Sequence, residues 1–83
     1  MAKAIKKKVY QYTAIFEPAE EGGYIVYIPA LPGCVTQGED LEDAYQMAKD
    51  ATEGYLAVLK ETKEKIPEEK PGSVIAKIPV VLR

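Results

Sequence analysis

A chain of 83 residues suits one domain, expected over residues 1–83, and buries only ~60–65% of the surface its unfolded form exposes, so it can build one thin core. It has no histidine and one cysteine, which removes the commonest general base, the commonest transition-metal ligand and any internal disulfide, and fits a reducing cytoplasm. The net charge is only −2, but Lys3, Lys6, Lys7 and Lys8 give the first eight residues +4, while residues 17–53 carry nine acids against Lys49 alone. An acidic middle disfavours phosphate-backbone binding there and favours a basic partner.

Residues 1–8 read as a basic tail. No apolar stretch follows Lys6-Lys7-Lys8, so a signal peptide is not expected. No run approaches the ~20 apolar residues of a membrane span either. Val9 to Phe16 is rich in β-branched and aromatic residues, and alternation places Tyr10, Tyr12, Ala14 and Phe16 on one face. The other face carries Val9, Gln11, Thr13 and Ile15. With both faces largely apolar, this strand is expected inside the sheet. Glu17 to Gly23 forms a turn, and Tyr24 to Ile28 the second strand. Pro29 and Pro32 interrupt the ladder. Cys34 to Gln37 is a short third strand ended by Gly38, suited to a sheet edge.

The helix begins at Asp40, a good N-cap, with Asp43 three residues on as a weak capping-box partner. Leu41, Ala44, Tyr45, Ala48, Ala51, Thr52, Tyr55 and Leu59 recur at helical spacing and define its inner face. Alanines there permit close approach to a sheet. Gly54 marks a tight contact or a bend. The helix should fade by Lys65, before Pro67. Residues 64–73 read as a polar linker, and Val74 to Leu82 as a last strand whose Pro79 favours an edge.

The fold class is therefore α+β, in the order β-β-β-α-β. Three antiparallel strands are followed by a helix that crosses back to a fourth strand beside strand one, in spatial order 3-2-1-4. One helix covers one sheet face. The other, holding either the Tyr10/Tyr12/Phe16 row or the Val9/Ile15 row, needs a cover, so self-association or a partner is expected.

Catalytic readings are weak. No Asp or Glu lies within residues 9–16 or 74–82, so the strands offer no carboxylates for two-metal nuclease chemistry. Cys34 has no histidine base and reads as a small buried hydrophobe. Gly22-Gly23 joins two strands and lacks the continuation of a phosphate loop. No enzyme activity, cofactor or metal is expected.

The segment Tyr24 to about Leu59 resembles the HicB-like antitoxin family. The resemblance rests on Tyr24, Pro29, Leu31, Pro32, Gly33, Cys34, Thr36, Gly38, Leu41, Glu42 and Ala44, within a Leu-Pro-Gly-Cys-x-Thr-x-Gly run of fair specificity. It implies a partial RNase H-like fold, an antitoxin role and a HicA-type partner, a small basic ribonuclease toxin that cleaves mRNA. Such antitoxins usually carry a C-terminal DNA-binding domain. This chain ends at Arg83, just after the last strand, so direct DNA binding is not expected. Glu20, Glu21, Glu39, Glu42 and Asp43 are the candidate partner-binding residues, with acids standing in for phosphates. The plain alternative is that these acids only solvate turns and a helix start. Two other readings stay open: a solitary nucleic-acid-binding domain using the sheet and the N-terminal lysines, or an oligomeric interaction domain of unknown ligand.

Overall fold

The structure, a computed structural model, describes residues 9–83. The basic tail predicted over residues 1–8 lies outside the described residues. Three strands, β1 (Ile15–Pro18), β2 (Tyr24–Tyr27) and β3 (Val35–Gly38), precede one helix, α1 (Leu41–Glu61). The sheet is antiparallel in the order β1-β2-β3. Its register aligns Ile15 with Tyr27 and Tyr27 with Val35.

Alternation along the strands sorts the two faces. Val26 is fully buried, and Phe16 and Tyr24 pack with it against Ala44 and Ala48 of the helix. The Ile15–Tyr27–Val35 row therefore points to the opposite face, where Val35 is exposed. Of the two rows left open by the sequence, the Ile15 row is the one turned away from the helix.

The core is small: Val26, Ile28, Leu31, Cys34, Ala44 and Ala48. Leu31 sits between Pro29 and Pro32 yet is completely buried. Its loop turns inward because Leu31 N–H donates to Ile28 O (2.9 Å), while Cys34 N–H donates back to Leu31 O (2.9 Å). Burying a leucine or valine side chain fully is worth about 1.5–3 kcal/mol. This loop leucine is thus a principal core residue, and Cys34 beside it is buried as well.

Four features differ from expectation. First, β1 is an edge strand among the described residues. Two apolar faces reflect two faces in need of cover, whereas an interior position needs two neighbouring strands. Second, no fourth strand forms over residues 74–82, although that segment is apolar, and it is exposed. Before it, the predicted linker is tied down. Tyr12 Oη donates to Pro67 O (2.5 Å), and Thr13 donates through N–H and Oγ1 to the two carboxylate oxygens of Glu69 (2.7 and 2.5 Å). Val74 and Ile75 then share a hollow with Thr13, Pro29 and Ala30.

Third, Leu41 and Tyr45 do not face inward, being 55% and 61% exposed. The helix lies over β3 and β2, so the burial stripe runs through Ala44, Ala48, Ala51, Tyr55 and Leu56. Fourth, Gly54 is exposed, and an added methyl there would meet nothing within 4 Å, so it marks neither a contact nor a break. The helix ends at Glu61, before Lys65, in line with the expected fade. Lys63 adopts φ 59°, Lys63 N–H donates to Lys60 O (3.2 Å) and Glu64 N–H to Leu59 O (2.8 Å). That is a Schellman closure with lysine at the position glycine usually takes.

Candidate functional site

The acidic residues singled out by the sequence come from two places. Glu20 and Glu21 sit in the β1–β2 turn, closed by Ala19 N–H to Gly23 O (3.0 Å) and Gly22 N–H to Ala19 O (3.1 Å). Glu39, Glu42 and Asp43 belong to the β3–α1 junction. The antiparallel register sets Tyr24 opposite Gly38, which brings the turn and the junction to the same end of the sheet.

The result is an open hollow of about 660 Å³ whose walls include Glu20, Glu21, Glu39 and Asp43. Tyr24, Ile25 and Met47 add apolar surface to its lining. Glu42, exposed in the first helical turn, is not part of this lining. The structure therefore gathers four of the five candidates and leaves the fifth apart.

Asp43 already has structural work. Its N–H donates to Asp40 Oδ1 (2.7 Å), and its own Oδ2 accepts from Glu39 N–H (2.8 Å). The short aspartate thus reaches the residue before the N-cap, where a glutamate in a capping box would reach the cap itself. Both carboxylates sit where the helix N-terminus favours negative charge.

Two glycines make the junction possible, and the sequence signalled only one as special. A methyl on Gly23 would run into the carbonyl oxygen of Gly38, and a methyl on Gly38 would run into the backbone of Ala44. Turn, strand end and first helical turn are therefore stacked backbone on backbone. The signal that could have found this is Gly38 three residues before the helix, within a run whose other members follow the strand pattern.

The hollow offers carboxylates and apolar surface, with no nucleophile. Among the described residues, no group of three or more Cys, Asp or Glu side chains is placed to hold a metal ion. Among the described residues, no helix is long and apolar enough to cross a membrane. A shifted titration lies elsewhere. Glu69 is held below the usual carboxylate range by the hydroxyl and then the N–H of Thr13, against a smaller opposing effect of burial.

A family model described as the HicB-like antitoxin of bacterial toxin-antitoxin systems matches residues 12–79. The chain is similar to a UPF0150 protein of Thermoplasma acidophilum, at 44% identity over 64 residues that cover 77% of this chain and 93% of that protein. It is similar to antitoxin HicB 1 of Photorhabdus laumondii, 43% identical over 67 residues, or 81% of this chain and 42% of that one. It is also similar to antitoxin HicB of Escherichia coli, 38% identical over 61 residues, or 74% of this chain and 44% of that one. It spans less than half of the two HicB proteins and almost all of the Thermoplasma relative. With residues 12–79 matched and these identities, the chain belongs to the HicB-like antitoxin family.

Proposed function

We propose that this protein is an antitoxin of a bacterial toxin-antitoxin pair, acting by binding and without catalysis in the cytoplasm. Family membership across residues 12–79 is the observation that carries this reading. The partner is a HicA-type ribonuclease, small and basic, and the acidic hollow is the surface that receives it. Carboxylates of Glu20, Glu21, Glu39 and Asp43 in one hollow with the apolar surface of Tyr24, Ile25 and Met47 suit lysine and arginine. Both residues lay an apolar stem along apolar surface and keep the charged head beside carboxylates and water. Electrostatic complementarity of this kind raises the association rate and sets orientation.

The functional unit is a homo-oligomer, supported by the open Ile15–Tyr27–Val35 face and the exposed apolar C-terminal segment. A fourth strand added beside β1 would give the partial RNase H-like arrangement that the family resemblance implies.

The test is a binding titration against a HicA-type toxin. The triple variant Glu20→Lys, Glu21→Lys and Glu39→Lys spares Asp43, whose carboxylate holds the Glu39 N–H at the helix start. Three reversed rim charges should weaken binding at low salt by at least ~10-fold, less in high salt, since each exposed pair is worth up to ~1 kcal/mol. Glu42→Lys, outside the hollow, should have the smaller effect. Equal affinity of the triple variant and the native chain would remove the hollow from the interface. No binding by the native chain would remove the toxin.

A further inference from the structure

The two edges of the sheet differ in what they leave open. Ile28 N–H donates to Cys34 O (3.1 Å), so the Cys34 carbonyl faces β2. Antiparallel pairing alternates that direction residue by residue. Thr36 and Gly38 therefore turn their backbone groups toward Val26 and Tyr24, while the N–H and C=O of Val35 and Gln37 point away from the sheet. Among the described residues, neither Val35 nor Gln37 makes a backbone hydrogen bond to a turn, a loop or the helix. Both are exposed, Val35 at 53%. Glu39, next in the alternation, is already engaged, its N–H donating to Asp43 Oδ2. On the other edge the same alternation turns Phe16 and Pro18 outward, and proline has no N–H to offer. Free edges are commonly guarded by proline or lysine, and β3, Val-Thr-Gln-Gly, has neither.

We propose that the partner adds an extended, basic segment to the free edge of β3, pairing with Val35 and Gln37. This rests on the antitoxin reading above and states how the acidic hollow is engaged. Gln37 and Gly38 line that hollow together with Glu20, Glu21, Glu39 and Asp43, so a strand laid along β3 meets it at the Gly38 end. Directly opposed residues on neighbouring strands lie ~4.5–5.5 Å apart at Cβ. A residue opposite Val35 therefore extends the row Ile15–Tyr27–Val35, and an apolar side chain suits it. The residue two positions along, opposite Gln37, falls on the same face beside the hollow.

Charge selects what stands there. The hollow is lined by Glu20, Glu21, Glu39 and Asp43 with no lysine or arginine among its walls, so the position opposite Gln37 suits a lysine or arginine. The segment that fits is an apolar residue, any residue, then a basic one, in extended chain. Main-chain bonds to the edge supply affinity, and the alternate side chains supply the choice. A nucleic-acid strand carries the same sign of charge as the hollow, so the occupant is a polypeptide.

The test is amide hydrogen exchange of the full chain, alone and with a HicA-type toxin, read residue by residue. The Val35 and Gln37 amides should exchange rapidly in the free chain and at least ~10-fold more slowly in the complex, as amides do once hydrogen-bonded. Thr36 and Gly38, already facing β2, should change less. A second measurement uses Gln37→Pro, which removes one outward donor and leaves the inward ladder and the carboxylates in place. It should weaken toxin binding by ~10-fold or more, since a partner carbonyl is left unpaired. Gln37→Ala keeps the N–H and should lose far less. Should Gln37→Pro fail to fold, the exchange measurement on the native chain decides alone. A bound toxin that leaves Val35 and Gln37 exchanging as in the free chain would overturn edge pairing, and the hollow would still stand if the triple lysine variant lost affinity. Protection of both amides, with a triple lysine variant of native affinity, would keep the pairing and overturn the basic character of the segment. A native chain that binds no HicA-type toxin would overturn both readings.

Discussion

The substitution Gly38→Ala tests whether the β3–α1 junction holds this fold together. The new Cβ would lie within 3.0 Å of the N and Cα of Ala44 and 2.9 Å from its Cβ. Two of the three obstacles are backbone atoms, so no side chain can rotate away. Restoring ordinary contact of about 3.5–4.0 Å requires the helix start to retreat from the strand by roughly 1 Å. Ala44 is fully buried and Ala48 is 6% exposed, and a gap of that size forfeits a quarter to a half of each dispersion contact across the seam. Overpacking of a close-packed site costs about 1–3 kcal/mol, occasionally more. We place Gly38→Ala at the upper end, about 3 kcal/mol. A domain of this length holds only ~4–12 kcal/mol in total, so the loss is large.

The assay is urea unfolding followed by far-ultraviolet circular dichroism. With a slope of about 1 kcal/mol/M, the midpoint should fall by ~3 M. Gly33→Ala is the comparison. Gly33 has φ +80° and open space around it, so its cost is the left-handed backbone alone, about 1–2 kcal/mol. A Gly38→Ala midpoint within error of the native protein would refute the reasoning, because it would mean the helix can shift freely over β3.

Three other outcomes are expected. Lys63→Gly should stabilise by about 1 kcal/mol in the same unfolding assay, since lysine there holds φ 59° and glycine does so without the Cβ penalty; a destabilised variant would contradict this. Asp40→Ala should destabilise by about 1 kcal/mol through loss of the bond from Asp43 N–H, and an unchanged midpoint would show the cap to be dispensable. Glu69 has its folded pKa lowered by Thr13, so its contribution is complete above the ordinary glutamate range and is lost as pH falls through the lower folded value. The Thr13 amide resonance should follow that titration below the usual glutamate pKa and lose it in Glu69→Gln, while a midpoint at the ordinary value would rule out the contact.

Much of this protein is legible in local pattern. The alternation of Tyr24 to Tyr27, the two prolines after it, and the Asp40 cap before an alanine-rich periodic stretch locate β2, the loop and α1. These depend on neighbours in sequence, and propensity and capping act at that range. The Leu-Pro-Gly-Cys run carried the family resemblance, and the family match over residues 12–79 agrees with it. The acids were visible as a charged stretch, but not their arrangement.

Contacts between distant segments decided the remainder. That Glu20 and Glu21 meet Glu39 and Asp43 while Glu42 stands apart follows from strand register, which pairs residues far apart in the chain. Leu31 looked like a loop residue because prolines flank it, and only the inward fold of that loop makes it core. Leu41 and Tyr45 fit the helical period but are exposed, because the helix lies across β3 and β2 and leaves the β1 side open. Residues 74–82 have a strand's composition without a strand's partner. Hydrophobic alternation prepares a segment for pairing, but a hydrogen-bonded neighbour must be supplied by tertiary or quaternary structure.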